Sequence, residues 1–175
     1  RSIIATLVLI AAAVPALAQG GPNVEVETLA ALDAIPAGGE GRAMVSVTLP
    51  EGWHANAHEP LEDYLIATEL SFGESDAFEI VQIVYPEPEL KSFGFSDEPM
   101  AVYESTFQIG FRVMAKDNAP PGAHSLTGTL RYQACDDSSC YAPKNVPFGV
   151  ELNVAESSYA PTEQNGEAFS KIDFG

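Results

Sequence analysis

The sequence predicts an all-β fold, an antiparallel β-sandwich, and three observations carry that prediction. Apolar and polar residues alternate in seven to nine short runs. Turn-forming residues separate those runs at short, regular intervals. No stretch of any length keeps the 3.6-residue apolar period of a helix.

Taken in order, Val24 to Thr28 is a short alternating strand, and Gly38, Gly39 and Gly41 mark a turn. Ala43, Val45, Val47 and Leu49 then alternate with Met44, Ser46 and Thr48, as in a half-buried strand. Pro50-Glu51-Gly52 is a turn, and Trp53 to Asp63 is irregular. Ile66, Thr68, Leu70 and Phe72 form another row. Phe78 to Tyr85 is apolar on both faces, which predicts a central strand, and Pro86 and Pro88 end it. Glu89 to Pro99 reads as a loop with two exposed phenylalanines, Phe93 and Phe95. Met100 to Glu104 is a short strand. Phe107, Ile109, Phe111 and Val113 make the clearest alternation in the chain. After the turn Asn118 to Gly122, His124 to Ala134 and Phe148 to Val154 are the last strands. The segment 156–175 is polar and aperiodic and is expected to be a linker or tail, so the predicted domain is 19–155.

The chain has 175 residues and a formal net charge of −17. That charge repels nucleic acid and anionic headgroups and suits protein partners. Residues 1–18 hold a basic start, the apolar run Ile3 to Val14 and Ala16-Leu17-Ala18, the pattern of a secretory signal peptide. The run is too short to span a bilayer. Export delivers the domain to a compartment where disulfides persist. The chain begins with Arg and stops after polar sequence, so further sequence is expected at both ends. Neither a phosphate-binding glycine loop nor a nucleophile elbow occurs.

The chemistry concentrates in Leu130 to Phe148, LRYQACDDSSCYAPKNVPF, which holds both cysteines, Cys135 and Cys140. Such a pair forms a disulfide, binds a metal or does redox work. A six-residue loop stabilises by only about 2 kcal/mol through chain entropy, so the pair reads as a working site rather than a staple. Strand parity puts Cys135 with Arg131 and Gln133 on the polar face, provided no bulge intervenes. Asp136-Asp137-Ser138-Ser139 makes a turn that sets the cysteines opposite each other. Those aspartates disfavour the Cys135 thiolate, whereas Lys144 lies nearer Cys140. A zinc site needs four ligands, and no other Cys or His has the spacing.

The run from Tyr132 to Phe148 resembles the active-site segment of the N-terminal periplasmic domain of the thiol:disulfide interchange protein DsbD family. LPEGWHANAHEPLEDYLIATEL (Leu49 to Leu70) and YPEPELKSFGFSDEPMAVYES (Tyr85 to Ser105) resemble other segments of it. The resemblance covers roughly residues 24–154. The best-known members have one more residue between their cysteines, so a different turn geometry is expected here.

The resemblance implies an immunoglobulin-like sandwich and a protein-disulfide reductase activity without cofactors. Cys135 and Cys140 would be catalytic, with Cys140 meeting the partner and Cys135 resolving. Phe93 or Phe95 would cap the pair, and His54, Asn56 and Tyr141 would lie near it, as would His58. Electrons would come from a membrane-embedded donor domain through a thioredoxin-like domain. Both are expected to be separate or fused C-terminally. Acceptors would be periplasmic disulfide isomerases and cytochrome c maturation thioredoxins. The location would be the periplasm, with a C-terminal region as an inner-membrane tether. Two other readings stand beside this one: a secreted binding module with a structural hairpin disulfide, and a copper-handling domain using Cys, His and the scattered Met44, Met100 and Met114.

Overall fold

The structure, a computed structural model, describes residues 20–175, so the expected signal peptide lies outside the described residues. Twelve strands occur among them: β1 (Glu25–Ala30), β2 (Ile35–Pro36), β3 (Glu40–Thr48), β4 (His54–Asn56), β5 (Glu69–Phe72), β6 (Phe78–Val84), β7 (Glu89–Lys91), β8 (Met100–Glu104), β9 (Thr106–Ala115), β10 (Gly122–Tyr132), β11 (Ala134–Cys135) and β12 (Lys144–Ala155). A single helical turn, α1 (Gly166–Phe169), follows.

Two four-stranded sheets form the sandwich, in the orders β1-β3-β9-β6 and β2-β12-β10-β5. Every pairing in them is antiparallel except β2 with β12. The long alternating rows explain the layering. Val45, Val47, Ile109, Phe111 and Val113 from the first sheet meet Leu126, Leu130, Phe148, Val150 and Leu152 from the second in one apolar core. Burying such side chains contributes roughly 1.5–3 kcal/mol each, the main force holding the sheets together.

A third, smaller sheet has the order β11-β4-β8-β7. Its strands are two to five residues long. Chain continuity ties it to the body, since β8 runs into β9 through Ser105, a non-glycine residue at φ 52°, and β10 runs into β11 through Gln133.

Two expectations change. Phe78 to Val84 is an edge strand, not a central one: β6 pairs with β9 alone, its register shifts between Ile80 and Gln82, and Val81 is 45% exposed. The apolar residues on its second face belong to the bulge and not to a second sheet neighbour. The segment 156–175, expected as a linker or tail, lies folded back on the first sheet. Leu32 bridges Glu163, and Asn165 Nδ2 donates to Ala30 O at 2.9 Å. Phe169 is buried with Ala31 and Met44. A Cβ at Gly110 would sit 2.7 Å from Ile172 Cγ2 and 2.8 Å from Phe174 Cζ, so the bare backbone of β9 is what admits this segment. It also explains why Met44, on the outward row of β3, is buried.

Candidate active site

Cys135 and Cys140 are joined as a disulfide, with Cα atoms 4.0 Å apart. The hairpin expected from Asp136 to Ser139 forms. Asp136 N donates to Ser139 O at 3.0 Å, and Tyr141 N donates to Ala134 O at 2.9 Å. Asp136 holds the turn together: its carboxylate accepts from Ser138 N at 2.8 Å, Ser139 N at 2.9 Å and Tyr141 Oη at 2.9 Å. The Ser138 and Tyr141 bonds in particular keep its pKa below the ordinary carboxylate value.

Cys135 is not on the polar face that parity gives it. It is fully buried, packed with Met100 and Val102 of β8 and with Leu65, Phe93 and Cys140 around them. The alternation breaks at Gln133, where the chain leaves the second sheet and β11 pairs with β4 instead. Consecutive Ala134 and Cys135 are therefore both buried. Cys140 is half-buried, so the two cysteines differ in exposure.

The remaining site residues divide. His54 is the cross-strand partner of both Cys135 and Glu104. Its ring stacks on Phe93, with centroids 4.0 Å apart, and its Nε2 is buried without a hydrogen-bond partner. Burial pushes the His54 pKa down, against the opposing pull of the Glu104, Asp137 and Asp136 carboxylates. Phe93 in turn stacks on Phe95 at 5.7 Å, and Phe95 is 39% exposed. Tyr141 packs on Trp53 at 5.1 Å. His58 goes elsewhere: it stacks on Tyr85 at 3.6 Å, and its Nδ1 lies 3.0 Å from Thr68 O. Lys144 is also drawn away, since its ammonium bonds Gly21 O, Pro22 O and Asn23 Oδ1.

Sequence reasoning missed Gln133 and the pair Lys91–Glu104. Gln133 Oε1 accepts from Asn56 Nδ2 at 2.9 Å and Ile66 N at 3.0 Å, and its Nε2 donates to Tyr141 O at 3.0 Å. One side chain thus ties β4, the 57–68 loop and the chain just past Cys140 together. Lys91 Nζ bonds Glu104 Oε2 at the base of the Phe93 loop, which raises the Lys91 pKa. Both are long polar side chains next to singled-out segments, but nothing in the spacing says what they reach. Met44 and Met100 lie in separate apolar clusters and Met114 is 36% exposed. Among the described residues no three His, Cys, Asp or Glu side chains converge as metal ligands.

A β-sandwich that carries one short-loop disulfide beside an aromatic loop, with Cys135 fully buried and Cys140 half-buried, fits the class of thiol–disulfide exchange domains. Residues 23–151 match the family model described as thiol:disulfide interchange protein DsbD, N-terminal, and the chain belongs to that family. Among solved structures, the N-terminal periplasmic domain of ScsB from Proteus mirabilis is 14% identical, with a TM-score of 0.55 over 87% of this chain and 55% of that one. This chain thus spans about half the length of that ScsB chain. The seventh ScaB type I cohesin from Pseudobacteroides cellulosolvens is 11% identical, with a TM-score of 0.41 over 79% of this chain and 97% of that one. No curated protein matches the sequence at a significant level. No helix among the described residues is long and apolar enough to cross a membrane.

Proposed function

We propose that this domain is a periplasmic protein-disulfide reductase module. It receives electrons from a thioredoxin-like domain coupled to a membrane-embedded donor. It passes them to disulfide isomerases and to thioredoxins of cytochrome c maturation. The observation that carries this reading is the asymmetry of the pair: Cys135 fully buried, Cys140 half-buried at the hairpin end. Family membership supports the chemistry, and the partners follow from the resemblance of the Tyr132 to Phe148 segment. A secretory signal at residues 1–18 would deliver the domain, and a C-terminal continuation would tether it.

On this reading the donor's thiolate attacks Cys140 Sγ. The Cys135–Cys140 bond breaks, and Cys135 takes the electron pair and then a proton. The donor's second thiolate attacks its own sulfur in the mixed disulfide and releases Cys140. Two electrons and two protons have moved, and the donor is left as a disulfide. Delivery runs the same steps backward against the acceptor's disulfide, with Cys140 attacking and Cys135 resolving. Phe93, stacked over His54, is the cap that keeps small thiols from Cys140, and Phe95 flanks it. The ring is half-buried, held by stacking on His54 and by apolar contact and by no side-chain hydrogen bond, so a docking protein can displace it.

The test uses Cys135→Ala and Cys140→Ala, each mixed with a thioredoxin-like protein lacking its resolving cysteine. Cys135→Ala should trap a mixed disulfide through Cys140. Efficient trapping only with Cys140→Ala reverses the roles, and trapping with neither removes the relay.

A further inference from the structure

We propose that Asn56 is a positioning residue for the exchange, its side-chain oxygen held against Cys135 Sγ so that it accepts a hydrogen bond from the thiol when the pair is reduced. The proposal deepens the relay reading and rests on it for the cycling of the pair.

The orientation of the Asn56 amide follows from backbone groups whose roles are unambiguous. Ile66 N can only donate and Tyr141 O can only accept. They contact Gln133 Oε1 and Nε2 at 3.0 Å each, which fixes the Gln133 amide. Gln133 Oε1 lies 2.9 Å from Asn56 Nδ2, and Ile66 O, again only an acceptor, lies 3.1 Å from the same nitrogen. Both hydrogens of Nδ2 are therefore used, and Oδ1 must be the atom on the other side. That atom lies 3.8 Å from Cys135 Sγ. The backbone around it is equally held: Asn56 N donates to Gln133 O at 3.2 Å, and Asn56 O accepts from Thr68 Oγ1 at 2.6 Å. Asn56 is fully buried, so this geometry is not open to water.

The consequence depends on oxidation state. A disulfide sulfur carries no hydrogen, so in the oxidised domain the 3.8 Å contact is not a hydrogen bond. Oδ1 then has no donor among the described residues, and a buried acceptor without a donor is costly. When a protein dithiol reduces the pair, Cys135 takes up a proton, and its S–H points at an acceptor already in place. The contact thus stabilises the reduced domain relative to the oxidised one. It also gives the sulfur a preferred form, the thiol, in a pocket otherwise made of Met100, Val102, Leu65 and Phe93. Cys135 is thereby kept as the neutral, resolving thiol, and the more exposed Cys140 is left to react.

The experiment is the reduction equilibrium of the wild-type domain and of Asn56→Leu against glutathione. Both sides of that equilibrium are folded, so a packing loss common to them cancels. The variant's equilibrium should move about fivefold toward the disulfide, the size of one lost neutral hydrogen bond. An unchanged constant, or a shift toward the dithiol, overturns the proposal. Should Asn56→Leu not fold, the S–H stretching band of Cys140→Ala, whose single thiol is Cys135, decides. A band at lower frequency than that of a thiol in apolar solvent supports the contact, and a coincident band overturns it. Failure of the relay reading looks different: the wild-type pair would then resist reduction by any thioredoxin-like dithiol, while the band would still decide the role of Asn56.

Discussion

The two large sheets and the small third sheet are built on different principles. The sandwich is held by apolar rows: Ile109, Phe111 and Val113 of β9 are fully buried against the partner sheet, and β10 and β12 pair over eleven positions from Gly122↔Val154 to Tyr132↔Lys144. The third sheet has shorter strands, which place Ala55, Ala101, Tyr103 and Ala134 in the same core and Met100, Val102 and Cys135 in a small cluster of their own. What sets it apart is the oriented polar contacts added to that packing: Asn56 and Gln133 link its interior, Lys91 and Glu104 link its edge, and the buried polar residues His54, Asn56 and Thr68 all lie in it or beside it. The difference teaches where stability and reactivity can be separated. A core set by area is insensitive to the redox state of one bond, whereas a small sheet with oriented polar contacts around that bond can respond to it.

The sharpest way to break this contrast is Phe111→Ala. Phe111 is fully buried and packs on Phe72 at 4.8 Å, so urea unfolding should show a loss of about 3–5 kcal/mol. The disulfide should form and exchange normally in the fraction that stays folded. A loss below that of the reduced wild type would put the stabilising core somewhere other than the sandwich.

Reduction of the disulfide is next in size. A bridge between residues five apart in sequence removes little entropy from the unfolded chain, so reduction should cost about 2 kcal/mol. Far-ultraviolet circular dichroism should keep its β signature. A melting point lowered by tens of degrees would mean that the third sheet staples the fold.

Phe93→Ala should have a smaller effect on stability, about 1 kcal/mol for the lost stacking on His54. It should speed attack on the pair by small thiols, followed by stopped-flow assay of dithiothreitol reduction. Phe95→Ala, which removes the outer ring of the stack, should speed it less. Equal and unchanged rates in both variants would remove the cap.

The smallest expected effect is a pH dependence from His54. Burial lowers its folded pKa below the unfolded value of about 6.5. As pH falls the unfolded chain binds the proton first. Stability should therefore be lost as pH drops below about 6.5 and on down through the folded value. Urea titrations across that window, compared with His54→Phe, should show a slope in the wild type that the variant lacks. An equal slope in both would place the proton elsewhere.

Alternation read from single residues was enough for the sandwich because the physical rule is local. A strand with one face in the core shows its apolar residues at every second position, and β3, β9 and β12 do. The cysteine hairpin was legible for the same reason, since four turn-forming residues between two cysteines leave few geometries. Phe78 to Val84 misled because a bulge and a second sheet neighbour leave the same apolar composition. Segment 156–175 misled because its anchors are single residues, Phe169, Ile172 and Phe174, whose receiving surface is the bare backbone at Gly110, distant in sequence.

By itself, then, the sequence determined the sandwich, the redox pair and the family, each resting on contacts between near neighbours or on one contiguous motif. Tertiary structure alone decided that Cys135 is buried, that His54 and Asn56 but not His58 face the pair, and that Gln133 orients Asn56. Those outcomes depend on where the chain changes sheets at Gln133. There β11 trades the β12 ladder for β4, and the partners it meets are about 80 residues away along the chain, a distance over which side-chain parity carries no information.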